Sequence, residues 1–222
     1  MERHFDEELK GLNKELIRMS DLVKKAIQNS IESLNSLNRK QAEEVFSNDH
    51  EIDLIELEID EKCIDLIAKH QPMAKDLRFI TTGMKINAEL ERIADLAVNI
   101  SQRVMEISDE PVLVSLKDIL TLTELVQQMI YESIKSFGDQ NIDLAKKVML
   151  ADQEADRLRN QIQNELLNNY ICKDSSTARR GVALLLIARY LERISDHTTN
   201  IAEDVIYMVQ GRVVKHHSQD LA

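Results

Sequence analysis

Helix breakers are scarce in this chain: two prolines and five glycines occur among 222 residues. Tryptophan is missing and aromatic residues reach only 4%. A sheet protein draws on turn residues and aromatics, so these shortages favour long helices over strands. The two cysteines, Cys63 and Cys172, form neither a CxxC pair nor a metal-ligand spacing. Both read as free, buried thiols in a reducing cytoplasm. Long apolar runs are also lacking. The longest, VALLLIA at 182–188, falls far short of the roughly 20 residues a spanning helix needs, so no membrane insertion is expected. MERHFDEELK, at the amino terminus, has no apolar signal core, and the expected location is cytoplasmic. Positive charge is in deficit, with 28 Lys and Arg against 39 Asp and Glu and a net charge of −11. That balance excludes bulk attraction to nucleic acid or anionic lipid and leaves cations and basic protein surfaces as partners.

What remains is a globular composition, 43% hydrophobic and 30% charged, on a chain long enough for one large or two small domains. The chain repeats itself. ELERIADLAVNI (89–100) returns as YLERISDHTTNI (190–201), with Glu91 over Glu192, Asp95 over Asp196 and Asn99 over Asn200. At an offset of 103 residues, DLVKKAIQNSIESL (21–34) lies over ELVQQMIYESIKSF (124–137), and NDHEID (48–53) over ADQEAD (151–156). In the last third the offset falls to 101, which places a two-residue loss near 70–74. A period this long signals a duplicated domain rather than a solenoid of short repeats.

Within each copy the spacing is helical. Ile52, Ile55, Ile59, Cys63 and Leu66 form one stripe, and Ile93, Ala97, Ile100 and Val104 another. Pro72 and Pro111 fall where helices should end, and Asn35–Asn38 and Gly138-Asp139 mark matching turns. The pattern predicts helices near 5–34, 39–69, 74–107, 113–137, 140–170 and 176–210. The expected fold is all-α: two tandem antiparallel three-helix bundles related by internal duplication, 1–108 and 109–215, followed by a frayed tail at 216–222.

On a helical wheel Glu91, Asp95 and Asn99 fall within about 80° of one another, nearly opposite the apolar stripe of the third helix. Asp49 and Asp53 stack on the second helix beside its isoleucine face, and Asp152, Asp156, Glu192 and Asp196 repeat the arrangement. Like charges at i, i+4 cost a helix a few tenths of a kcal/mol each, a penalty that a bound cation removes. Oxygen-only donors suit Mg²⁺, Mn²⁺, Ca²⁺ or iron. Each bundle thus offers a metal site built from two acidic pairs on neighbouring helices, while a solvated charge network stays open as the plainer reading. Glu56 and Asp60 extend the first acidic stripe, but their counterparts are Arg159 and Gln163, so that extension is not duplicated.

Other residues carry less. His197 points about 100° away from Asp196 and reads as a surface or partner-facing histidine. His50 and His70 have no counterparts in the second copy, and no role is assigned to them. Arg92 and Arg193, duplicated after the glutamates, read as structural ion pairs, and Arg78, aligned with Arg179, as a helix-start contact. The methionines read as gap-fillers in the core. Phosphate-loop, GxSxG and HExxH patterns are absent, and no histidine follows a glutamate at the i, i+3 spacing of di-iron bundles. Catalysis is not supported.

The duplicated LERI-x-D-x-x-x-N-I signature, PMAKDLRFI (72–80) and YLERISDHTTNIAEDVIYMVQG (190–211) resemble the PhoU family. The likeness spans about 5–211. It implies two PhoU domains side by side in a cytoplasmic, homodimeric, non-enzymatic protein. It further implies a negative regulator of phosphate uptake and phosphate-starvation signalling, an adaptor between the phosphate ABC transporter ATPase and its sensor histidine kinase. Metal clusters are implied at E(D)xxxD motifs, here Asp49 and Asp53 with Glu91 and Asp95, and Asp152 and Asp156 with Glu192 and Asp196. Iron is the first expectation, with Zn, Mn and Mg as alternatives. Ala94 and Ser195 stand where the family often has a small glycine, a departure that removes no ligand. A metal-dependent hydrolase or oxidase, and a purely structural helical scaffold, are the rival readings.

Overall fold

A computed structural model describes residues 2–211. Six long helices follow one another: α1 (Glu2–Ser36), α2 (Arg39–His70), α3 (Ala74–Ile107), α4 (Lys117–Asp139), α5 (Ile142–Leu166) and α6 (Ala178–Gln210). A π-helical turn, Leu167–Ile171, and a 3-10 turn, Ser175–Thr177, join α5 to α6. No strand occurs among the described residues. The expected tail at 216–222 lies outside them.

The apolar stripes are what hold these helices in place. Ile52, Ile55, Ile59, Cys63 and Leu66 are all buried in α2, as are Ile93, Ala97, Ile100 and Val104 in α3. Burial of each isoleucine or leucine contributes roughly 1.5–3 kcal/mol. The turn between α1 and α2 recurs between α4 and α5 down to its hydrogen bonds. Leu37 and Gln140 both take a left-handed backbone, with φ of 51° each. The next residue, Asn38 or Asn141, donates its backbone N–H to Ser33 or Ser136 at 3.0 and 2.8 Å. Its side chain then caps the following helix by accepting from the N–H of Gln41 or Leu144.

The copies part company elsewhere. Helix α4 begins at Lys117, four residues after the expected start at 113, because residues 112–116 cross between the copies as irregular chain. The fifth helix stops being regular at Leu166, where the sequence predicts a helix to 170. The π turn brings Ile171 onto Gly181, where an added Cβ would stand 2.5 Å from the Ile171 side chain. Cys172 follows this turn and is exposed, against the expectation of two buried thiols. Cys63 is buried, and burial pushes its thiol up to about 12.

Helices α1–α3 pack as one bundle and α4–α6 as the other, yet α3 against α6 is the most extensive packing in the molecule, with α1 against α4 beside it. One continuous apolar core therefore runs through both copies. Phe79 of α3 stacks on Phe137 of α4 with centroids 4.5 Å apart. Arg78, at the start of α3, donates to the Met208 carbonyl near the end of α6 at 2.9 Å. In return Arg179 and Arg180, at the start of α6, pair with Glu110 just past the end of α3. Of the methionines, Met19, Met129 and Met208 are buried as expected, whereas Met73 is 82% exposed. No described helix is long and apolar enough to cross a membrane.

Candidate metal centre

The acidic stripe of α2 lies on the side that faces α3. Asn87, fully buried on α3, donates to the Glu56 backbone carbonyl at 2.8 Å and to Asp60 at 3.0 Å. That tie holds the two helices together below the first carboxylate group. Asp49 and Glu91 are half-buried, while Asp53 and Asp95 are exposed. Burial, then the charges of Asp53 and Asp95, raise the Asp49 carboxyl above its ordinary range. Burial, then Asp95 and Glu56, raise Glu91, and Asp53 adds to the effect. The four residues thus share one electrostatic field across the α2–α3 seam.

The second group is assembled from α5 and α6 in the same way but is neutralised differently. Burial raises Asp152, the hydroxyl of Ser195 that donates to it at 2.5 Å lowers it, and Asp156 raises it further. Burial, Asp152 and Asp156 raise Asp196, against Arg189 and His197. Glu192 is buried, at 5% exposure, where the wheel places it away from the core. Two arginines explain the difference. Arg189, one turn earlier on α6, pairs with Glu192 Oε1, and Arg159 of α5 approaches the same oxygen at 3.5 Å. They lower the Glu192 carboxyl but do not reverse the rise from burial and Asp196. Its other oxygen, Oε2, is buried without a hydrogen-bond partner.

The eight predicted residues thus influence one another electrostatically within each set of four, across α2–α3 and across α5–α6. As the side chains stand, no three Asp, Glu, His or Cys groups are close enough to hold a metal ion among the described residues. The donor chemistry nevertheless fits a hard cation. It is all carboxylate oxygen, its like charges in the first group are offset only by Arg92 beside Glu91, and the second holds an orphaned carboxylate oxygen. The exposed Asp53, Asp95, Asp156 and Asp196 are free of packing that would lock their rotamers, so inward rotation is the movement a cation would ask of them.

The sequence misses several partners here. Arg159 is visible in it only as the residue replacing Glu56, and Arg189 only as a residue three before Glu192. His197 is not a surface histidine: with 14% of its side chain exposed, it meets Glu89 of α3 at 2.6 Å. Asn200 adds a bond to Glu89 at 3.2 Å, and Arg92 pairs with it at 2.8 Å. Burial pushes the Glu89 carboxyl up, but the His197 and Asn200 hydrogen bonds and the His197 and Arg92 charges outweigh it and hold the group below its usual range. His70 likewise meets Glu8 at 2.6 Å. Both histidines tie segments far apart in the chain and are engaged by glutamates.

Comparison with known proteins accords with this duplicated architecture. The PhoU domain family model matches twice, over residues 16–104 and 119–205. A phosphate-specific transport system accessory protein PhoU homolog of Aquifex aeolicus is 40% identical, covering 94% of each chain. The crystal structure of PhoU from Pseudomonas aeruginosa superposes with a TM-score of 0.87 at 32% identity, over 94% of this chain and all of that one. A phosphate transport system regulatory protein PhoU from Streptococcus pneumoniae gives 0.87 at 25% identity, over 95% and 99%.

Proposed function

The chain belongs to the PhoU family, and on that premise we propose that it is a non-enzymatic accessory regulator of phosphate-specific transport. The single observation that carries this reading is the match of both halves, in order, to relatives named as accessory or regulatory proteins of that system. In its finer form the chain is a cytoplasmic homodimer and negative regulator. It would join the phosphate ABC transporter ATPase to the sensor histidine kinase and restrain uptake when phosphate is plentiful. Long rigid helices with large exposed faces suit an adaptor. The hydrolase or oxidase alternative needs a general base beside the carboxylates, and the histidine next to Asp196, His197, is committed to Glu89.

A hard cation would sit against Asp49, Asp53, Glu91 and Asp95, and another against Asp152, Asp156, Glu192 and Asp196. Iron is the first candidate, with Zn, Mn and Mg behind it. Its part would be electrostatic, cancelling repulsion across each helix pair and fixing the angle between them. Affinity co-purification from cells grown in high phosphate tests the function. Recovery of the transporter ATPase and the sensor kinase with the chain is the expected result. Recovery of neither contradicts the adaptor reading.

A further inference from the structure

The outward face of α2 carries a pattern that the fold does not need. Leu54, Leu57 and Ile64 are 48%, 63% and 58% exposed. With Glu61 they follow the spacing 54, 57, 61, 64, alternating three and four residues. These are the a and d positions of a heptad seam, continued by exposed Ala68. The flanking e positions are acidic and exposed, Glu58 and Asp65, while the g positions, Asp53 and Asp60, turn toward α3, where Asp60 accepts from Asn87. Asp65 shares an exposed ion pair with Lys69, a contact that a partner's lysine can replace.

The second copy serves as an internal control. At the offset of 103, the positions of Leu54, Leu57 and Glu61 hold Arg157, Asn160 and Asn164. Glu58, Asp60 and Asp65 become Gln161, Gln163 and Asn168. Asp53 and Ile64 do keep an acid and an apolar residue, Asp156 and Leu167, but the second copy folds as a helix with Arg157 and Asn160 where the exposed Leu54 and Leu57 stand. Exposed leucines at heptad spacing gain nothing in the monomer, and contiguous exposed apolar surface marks an interaction site.

We propose that this face of α2 docks an amphipathic helix of a partner protein, with an apolar a/d seam and Lys or Arg at its e and g positions. Charge complementarity selects that occupant. The acidic edge of Glu58 and Asp65 attracts a basic helix, and Glu61 within the seam calls for a cation opposite it. A second copy of this face would bring acid against acid, so self-pairing is disfavoured. The inference shares with the accessory reading only the need for a protein partner. It is tested on the purified full chain alone, so its failure would leave the co-purification result standing.

The probe is a labelled synthetic three-heptad peptide with Ile at a, Leu at d and Lys at e and g. A scrambled peptide of the same composition controls for charge, with binding read by fluorescence anisotropy. The heptad peptide is expected to bind about tenfold or more tighter than the scrambled one, since two or three apolar side chains leave water on each side. Leu57→Ser/Ile64→Ser, with helix content unchanged by circular dichroism, should abolish that preference. Equal binding of the two peptides, or a preference that survives the double substitution, overturns the proposal. So does conversion of a dimer to monomer by Leu57→Ser/Ile64→Ser in sedimentation, which would make a second copy the occupant.

Discussion

Glu192 shows how a duplicated residue can acquire a different environment. Its twin Glu91 faces other acids, whereas Glu192 is covered by Arg159 and Arg189. Removal of Arg159 leaves a buried carboxylate with one partner fewer. Arg159→Gln should therefore lower stability by about 1–2 kcal/mol, and Glu192→Gln in the same chain should cancel most of that loss. Urea denaturation of the three variants checks this; an additive result contradicts the pairing. The raised carboxyls also set a pH dependence. Asp49, Glu56, Glu91, Asp152, Glu192 and Asp196 are all pushed up in the folded chain. Each binds protons more readily when folded, so its contribution is complete below its unfolded value and is lost as pH rises through its folded one. Glu89, held down, acts the opposite way. The chelated protein should thus gain urea stability as pH falls from 7 toward the ordinary carboxylate range. Asp196→Asn should raise the unfolding free energy at pH 7 by a few tenths of a kcal/mol and flatten the pH dependence. A midpoint that falls on mild acidification contradicts the carboxylate repulsion.

At the scale of the element, the helices were legible because isoleucine and leucine recur at 3.6-residue spacing and their stripes are buried as read. The ends were less so. Asn38 and Asn141 cap in both copies, and the turn residues near them mark those starts correctly. The late start of α4 and the π turn after α5 depend on how one copy meets the other, which no local pattern records. The acidic pairs could be read for the same reason as the stripes, since i, i+4 spacing puts both carboxylates on one face. Arg159 was opaque because its role depends on the distance between α5 and α6, not on spacing within α5. Asn38→Ala and Asn141→Ala should each cost about 1 kcal/mol, measured as shifts in thermal midpoint. Equal losses would support equivalent turns; a negligible loss at one would mean the other copy's packing overrides its cap.

The molecule as a whole is more unified than two units side by side. The continuous core, the Phe79–Phe137 stack and the reciprocal arginine contacts of α3 and α6 bind the halves along their length. Calorimetry should accordingly record one cooperative transition for the intact chain, and two separated transitions would contradict a shared core. Two centres on this common frame make a further claim, which is the one most open to direct measurement. After anaerobic reconstitution with iron, and separately with Mn²⁺, elemental analysis of wild type, Asp53→Asn/Asp95→Asn and Asp156→Asn/Asp196→Asn would count bound metal per chain. Distinct carboxylate centres predict a loss of about half in each double variant, with the first centre, free of the Arg159 and Arg189 pairings, retaining its metal at the lower free concentration. Metal content unchanged in both variants would contradict the carboxylate centres outright.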